Sequence, residues 1–281
     1  MEEPFTLCCV EGETWVVTHP VGLSNYDFTF APTFEVHHPA RLDREVTAIA
    51  RMGAATDYEA RYAFLREMGI RLVHAPALYQ RTSMLPAWYP RIEDLTPRSR
   101  WYATPPTADE VGAALGWPVF VKGARQTSRH RRALCVARDA DAFEAIMAAW
   151  EDDEILWWQE IVCRAWVDLR LVAEPSADTL PVAFEFRSFW YRGELVGIGP
   201  YWITHPYGLT EIERAEALRV GGEAARRIGA MFVVIDLAQR ADGRWIVIEC
   251  NDGQDAGYAG IDRVALWRRI VAIDHARHAA G

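Results

Sequence analysis

Two rhythms of apolar and polar positions run through this chain: alternation with a period of two, which marks strands, and recurrence every three to four residues, which marks helices. Residues 5–10 and 14–18 alternate around Glu11-Gly12 and predict a hairpin. After an aromatic and proline-rich loop to about residue 40, residues 58–68 predict a helix closed by Gly69, and 70–74 a strand. Residues 86–106, rich in Pro, Trp and Arg, read as a linker. Thr107-Ala108-Asp109-Glu110 has the capping-box spacing that opens a helix, here ending at Gly116. Strands are expected at 118–122, 133–137 and 155–162, with a helix from Asp139 between the last two. Further strands are expected at 167–172, 182–189 and 194–198, the last two joined by a turn at Arg192-Gly193. Thr210-Glu211-Ile212-Glu213 is a second capping box, for a helix running to Gly229. Strands at 231–238 and 245–250 follow, and the last helix starts near Asp262. The pattern predicts an α+β protein with an N-terminal lobe (1–103), a small lobe (104–162) and a C-terminal lobe (163–281).

The turn at Ala241-Asp242-Gly243-Arg244 carries the most chemistry. Asp-Gly between strand-like runs favours a two-residue type I′ turn, which fixes the register. Continued outward, that register sets Asp236 opposite Glu249 and Val234 opposite Asn251. Asp236, Glu249 and Asn251 then share one face, while Val233, Ile235, Leu237, Ile246, Ile248 and Cys250 share the apolar one. Opposed carboxylates repel. A hard divalent cation relieves the repulsion, and two carboxylates with an amide oxygen suit magnesium carrying nucleotide phosphates. A merely hydrated polar face is the plain alternative. A general acid/base pair of the glycosidase kind needs a wider separation.

Composition narrows the choices. With 281 residues and 51% hydrophobic content the chain can bury a substantial core. No apolar run approaches a membrane span, and a soluble, cytoplasmic protein is expected. A formal charge of -9 makes nucleic acid an unlikely partner. The five cysteines have no CxxC spacing and suit reduced core thiols. Lys122 is the only lysine among 30 basic residues, which singles it out for a task that needs a compact ammonium. It ends an apolar strand and precedes Gly123-Ala124-Arg125-Gln126-Thr127-Ser128-Arg129-His130-Arg131-Arg132, a loop that can surround phosphate oxygens or, alternatively, stay solvated or hold RNA. Asp168, Arg170 and Arg187 lie on alternating strands, as site residues or as a surface salt-bridge face.

With these residues in view, the chain from about Thr104 onward resembles the ATP-grasp superfamily, particularly its short bacterial and phage members. The resemblance rests on PVFVKG (118–123), WWQEIV (157–162) and IDLAQRADGRWIVIECN (235–251). It implies two α+β lobes clasping ATP, with Lys122 on phosphate and adenine, Gln159, Glu160 and Val162 at the adenine hinge, and Asp168 near the ribose. It also implies Asp236, Glu249 and Asn251 as magnesium ligands, and Arg170 and Arg187 facing the transferring phosphoryl group. The family's usual reaction joins a small-molecule or peptide carboxylate to an amine through an acylphosphate; a phosphotransferase or a non-catalytic nucleotide- or RNA-binding module are the alternatives. Two features depart from the family pattern: no second lysine precedes Lys122, with Arg98 or Arg100 as candidate replacements, and the phosphate loop is rich in arginine rather than glycine. Tyr26, Phe28, Phe30, Trp88, Tyr89 and Trp101 are candidates for an aromatic acceptor site or for core.

Overall fold

The computed structural model describes residues 5–18, 28–53, 55, 57–125, 132–153, 156, 158–174 and 180–280. Gln126–Arg131 of the expected phosphate loop, Tyr26, Ile155 and Trp157 lie outside the described residues.

The N-terminal region holds β1 (Thr6–Val10), β2 (Thr14–Thr18), β3 (Val36–His37), β4 (Val46–Arg51), α1 (Tyr58–Glu67), β5 (Ile70–Leu72), α2 (Pro76–Ser83) and α3 (Leu85–Ile92). The expected hairpin forms, with Glu11 and Gly12 both at positive φ. Its sheet has the order β3-β1-β2-β4-β5, antiparallel at one side and parallel across β2, β4 and β5. β4 escapes a reading by alternation because it is buried almost throughout, the usual state of a parallel strand.

The linker expected at 86–106 is instead helix and strand. Leu85, Trp88, Tyr89 and Ile92 recur at helical spacing and are buried, while Pro86 sits in the first turn of α3, where no N–H partner is required. Pro90 lies inside this two-turn helix. β6 (Ser99–Tyr102) is an edge strand of the second sheet, whose order is β6-β9-β7-β8. This sheet therefore takes a strand from before residue 104. Its other elements are α4 (Ala108–Leu115), β7 (Val119–Gly123), α5 (Arg132–Cys135), β8 (Val136–Ala137), α6 (Ala140–Trp150) and β9 (Ile161–Ala165). The capping box at Thr107 forms in full, and Asp139 caps α6. The strand expected at 133–137 is mostly the helix α5, and that expected at 155–162 begins only at Ile161.

The last region contains β10 (Leu171–Ala173), β11 (Val182–Ala183), β12 (Glu185–Tyr191), β13 (Glu194–Pro200), α7 (Glu211–Ile228), β14 (Phe232–Gln239), β15 (Trp245–Asp252) and α8 (Arg263–Ala280). The antiparallel sheet β13-β12-β14-β15 is covered on both faces. Val233, Ile235, Leu237, Val247 and Cys250 pack with α7 and α3 on one. On the other, Phe189, Tyr191, Phe232 and Val234 pack beneath α8 and against Val10, Val16 and Ile49 of the N-terminal sheet. Along the strands this second face changes from apolar to charged, at Arg187, Asp236 and Glu249. Among the described residues, no helix is long and apolar enough to cross a membrane.

The β14–β15 hairpin reaches the expected pairing by a different route. Gly243 alone of the central turn pair has positive φ. Arg240 N donates to Arg244 O (2.8 Å) and Gly243 N to Arg240 O (2.9 Å), a longer loop than a type I′ turn, and it pairs Gln239 with Trp245. A bulge then inserts Ile248, because Leu237 pairs with Val247 while Asp236 pairs with Glu249. The two offsets cancel at the carboxylates. Between turn and bulge they do not: Val247 enters the core, whereas Ile246 and Ile248, expected there, are half-buried and leave it.

Candidate nucleotide and metal site

A cleft of about 270 Å³ separates the second sheet from the charged end of the third. β7 and β9 contribute Phe120, Lys122 and Arg164; the segment leaving β9 contributes Ala165, Trp166, Val167, Asp168 and Leu169; Glu185, Ile248 and Glu249 come from β12 and β15. The walls are otherwise largely apolar, which suits a flat base at one end and charged groups at the other.

At the charged end the ladder brings four side chains together. Arg187 lies directly across from Asp236, and its Nε and Nη2 donate to the two carboxylate oxygens at 2.8 and 2.7 Å. Arg187 Nη1 donates to Gly257 O at 2.9 Å, and the guanidinium lies 5.0 Å from the Tyr201 ring centroid. Lys122, 4% exposed, donates to Glu249 Oε1 across the cleft. Asn251 Nδ2 bridges the carboxylates, 3.2 Å from Asp236 Oδ2 and 3.4 Å from Glu249 Oε2. Burial raises the Asp236 pKa against the pull of Arg187. Burial also raises that of Glu249, but there Lys122 wins and holds the carboxyl below its ordinary range. Arg187 is kept firmly charged, because Asp236 outweighs the effect of burial.

These heads also test the fit of magnesium. Among the described residues no three His, Cys, Asp or Glu side chains group to hold a metal, so the third protein ligand must be an amide. Asn251 touches both carboxylates, and turning its amide presents an oxygen to the same point. Two carboxylates and an amide oxygen are hard donors of the right kind. Since Lys122 and Arg187 already balance the two carboxylates, a divalent ion fits best together with phosphate.

The remaining sequence candidates divide. Asp168 lines the cleft and accepts from Trp166 Nε1 at 3.0 Å. Gln159, Glu160 and Val162 do not line it: Gln159 Oε1 accepts from Arg125 N at 3.0 Å, Glu160 O accepts from Ala124 N at 3.0 Å, and Val162 is core, paired with Lys122. The strand starts later than expected, so residues 165–169 occupy the place assigned to them. Arg170 is not brought to the cluster either; it donates to Glu213 Oε1 (2.5 Å) and Gln239 Oε1 (2.8 Å) and lies over Phe184. Arg98 and Arg100 donate to backbone carbonyls of Leu115 and Ser99, outside the cleft. Of the aromatic acceptor candidates, Phe30 packs on Trp267, while Trp88 and Tyr89 enter a different core, so they form no single pocket.

Residues not anticipated from sequence complete the site. Arg164 is 5% exposed and donates to Ile248 O (2.6 Å), Thr96 Oγ1 (2.6 Å) and Ser99 Oγ (3.2 Å), thereby holding the bulge; burial lowers its pKa to about 10. Glu185 is 7% exposed, and burial, then Asp236, push its pKa up to about 8. Beyond Asn251, Asp252 accepts from His74 Nδ1 (2.5 Å), Thr82 Oγ1 (2.6 Å) and Gln254 N (2.9 Å). Phe232 N donates to His74 Nε2 at 3.1 Å, so Nδ1 carries the ring hydrogen. Arg125, at the root of the phosphate loop, donates to Ala55 O (2.8 Å) and bonds Tyr79 and Asp255. The capping boxes and the Asp-Gly turn are local signals; these contacts join residues far apart in sequence and leave none.

Residues 89–270 match the model of a family described as an ATP-grasp domain, the third family of its clade. No curated protein is detectably similar in sequence. Among solved structures, the chain is similar to a RimK domain ATP-grasp protein from Sphaerobacter thermophilus DSM 20745, with 17% identity, a TM-score of 0.54, and coverage of 75% of this chain and 74% of that one. It is also similar to D-alanine–D-alanine ligase from Bacillus anthracis complexed with ATP, with 14% identity, a TM-score of 0.52, and coverage of 74% and 66%. A third is D-alanyl-alanine synthetase A from Vibrio cholerae O1 biovar eltor str. N16961, with 16% identity, a TM-score of 0.52, and coverage of 81% and 76%. At such identities the likeness is one of fold.

Proposed function

The chain belongs to this family of ATP-grasp domains, and from that premise we propose that it is an ATP-dependent ligase joining a carboxylate to an amine. The observation that carries this reading is the convergence of Lys122, Arg187, Asp236, Glu249 and Asn251 at one end of an otherwise largely apolar cleft. In the proposal the base lies against residues 165–169 and Ile248, Asp168 takes the ribose, and the phosphates reach Lys122. Asp236, Glu249 and Asn251 hold magnesium, which when bound neutralises charge on the phosphate oxygens.

A substrate carboxylate oxygen attacks the γ-phosphorus as the bond to the β,γ-bridging oxygen breaks and ADP leaves. The amine nitrogen then attacks the acyl carbon, phosphate leaves, and the ammonium proton is lost to give the amide. Lys122 and Arg187 supply fixed positive charge where negative charge builds on the transferring group. Their Glu249 and Asp236 partners hold them in place beforehand, so little reorganisation is needed. The apolar walls keep water from the acylphosphate.

Calorimetry of ATP binding with and without magnesium tests the first half of the reading, on the wild type and on Lys122→Ala and Glu249→Gln. Magnesium-dependent binding weakened by both substitutions is expected; no binding to the folded wild type overturns it. ADP release screened over carboxylate and amine pairs tests the second half. A phosphorylated product with no amide would replace the ligase by a phosphotransferase.

A further inference from the structure

Glu185 is a buried carboxylate that the proposed reaction leaves without a task. It lies on β12 two residues from Arg187 and on the same face, about 7 Å further from the Arg187–Asp236 pair by strand spacing. Its pairing with Ala238 sets it toward the end of the sheet where Leu169 bridges Arg240, the hinge end of the cleft. Around it the cleft is lined by Leu169, Leu171, Leu180, Pro181, Ala183 and Trp202. Trp202 Nε1 donates to Glu185 Oε2 at 3.2 Å, and among the described residues no cation pairs with the carboxylate. A carboxyl this dry with so few partners is costly unless a ligand completes its hydrogen bonds. In contrast, the other buried polar groups of the cleft are occupied: Arg164 by three oxygens, Lys122 by Glu249, Asp168 by Trp166.

Resting on the nucleotide reading above, we propose that Glu185 determines base specificity, accepting a hydrogen bond from the exocyclic amino group of the purine of ATP. The phosphate end of the cleft holds Lys122 and Glu249, and Asp168 is the carboxylate placed for ribose hydroxyls. That leaves Glu185 at the apolar, base-holding end, where the ligand group able to donate is an amine. A 6-oxo purine would turn a carbonyl oxygen toward the same carboxyl and lose the contact.

The experiment compares magnesium-dependent binding of ATP, purine riboside triphosphate (hydrogen in place of the 6-amino group) and inosine triphosphate to the full chain, by calorimetry. The wild type is expected to prefer ATP over both analogues by about tenfold, the usual cost of leaving a buried polar group unpaired. In Glu185→Leu that preference should fall at least threefold, while Glu185→Gln, whose amide oxygen still accepts, should keep it. Equal binding of ATP and the 6-hydrogen analogue by the wild type overturns the proposal whether or not any variant folds. A preference that falls less than threefold in folded Glu185→Leu overturns it as well, and assigns base recognition elsewhere. Absence of all nucleotide binding by the wild type removes the nucleotide reading itself, an outcome distinct from binding without discrimination.

Discussion

Strand β15 carries two acidic residues three positions apart, Glu249 and Asp252, and they live in opposite conditions. Glu249 faces the cleft, and its charge is balanced by one cation, Lys122, across the gap between lobes. Asp252 is 1% exposed, and His74, Thr82 and Gln254 surround it with neutral donors from three parts of the chain. An ion pair at a cleft can exchange its partner for a metal and a phosphate. A carboxylate saturated by fixed donors cannot, and serves to lock the end of the strand to the N-terminal region beside Asn251.

The sharpest way to break this contrast is Asp252→Ala. It leaves three donors unpaired in the interior and should cost about 4 kcal/mol of stability, measured by urea denaturation. Nucleotide binding lost with stability intact would mean that Asp252 belongs to the site. Glu249→Gln should behave in reverse, with a loss of about a hundredfold in magnesium-ATP affinity and a smaller effect on the urea midpoint. Because Lys122 holds the folded pKa of Glu249 below its ordinary value, the pair stabilises above the unfolded pKa and is lost as pH falls through the folded one.

Glu185 has the opposite sign. Its folded pKa is raised from 4.5 to about 8, so the folded chain keeps a proton that the unfolded chain releases, and stability falls as pH rises between those values. Glu185→Gln should therefore gain about 2 kcal/mol over the wild type near pH 9 and nothing near pH 4, read from urea curves at both. The smallest effect is expected at Arg170→Ala: less than about 1 kcal/mol in stability, since the Glu213 pair is largely exposed, and magnesium-ATP affinity within about twofold. A larger loss of affinity would return Arg170 to the site.

The same contrast explains what the sequence could reveal. Thr107, Thr210 and Gly229 mark helix ends with contacts inside a few residues, and each is where its spacing predicts. The opposition of Asp236 and Glu249 is also correct, but only because a longer turn and a bulge offset each other. Prolines hid the helical spacing of Leu85, Trp88, Tyr89 and Ile92, since their usual meaning inside a pattern is a break. Burial on both faces hid β4. Glu185, Arg164 and His74 gave no local signal, because what distinguishes them is who surrounds them after folding.

The extra residue at Ile248 works like a change of reading frame within one strand. Upstream of it, odd-numbered positions point into the core; downstream, odd-numbered positions point into the cleft. The carbonyl at the switch is clamped by Arg164. A chain shortened by one residue between Trp245 and Ile248 would need no change in composition to lose its site, since Glu249 would either turn toward the helices or drag the loop out of register. Conversely, the loop from Arg240 to Arg244 is insulated from the carboxylates, so segments grafted there should leave the spacing of Asp236 and Glu249 untouched.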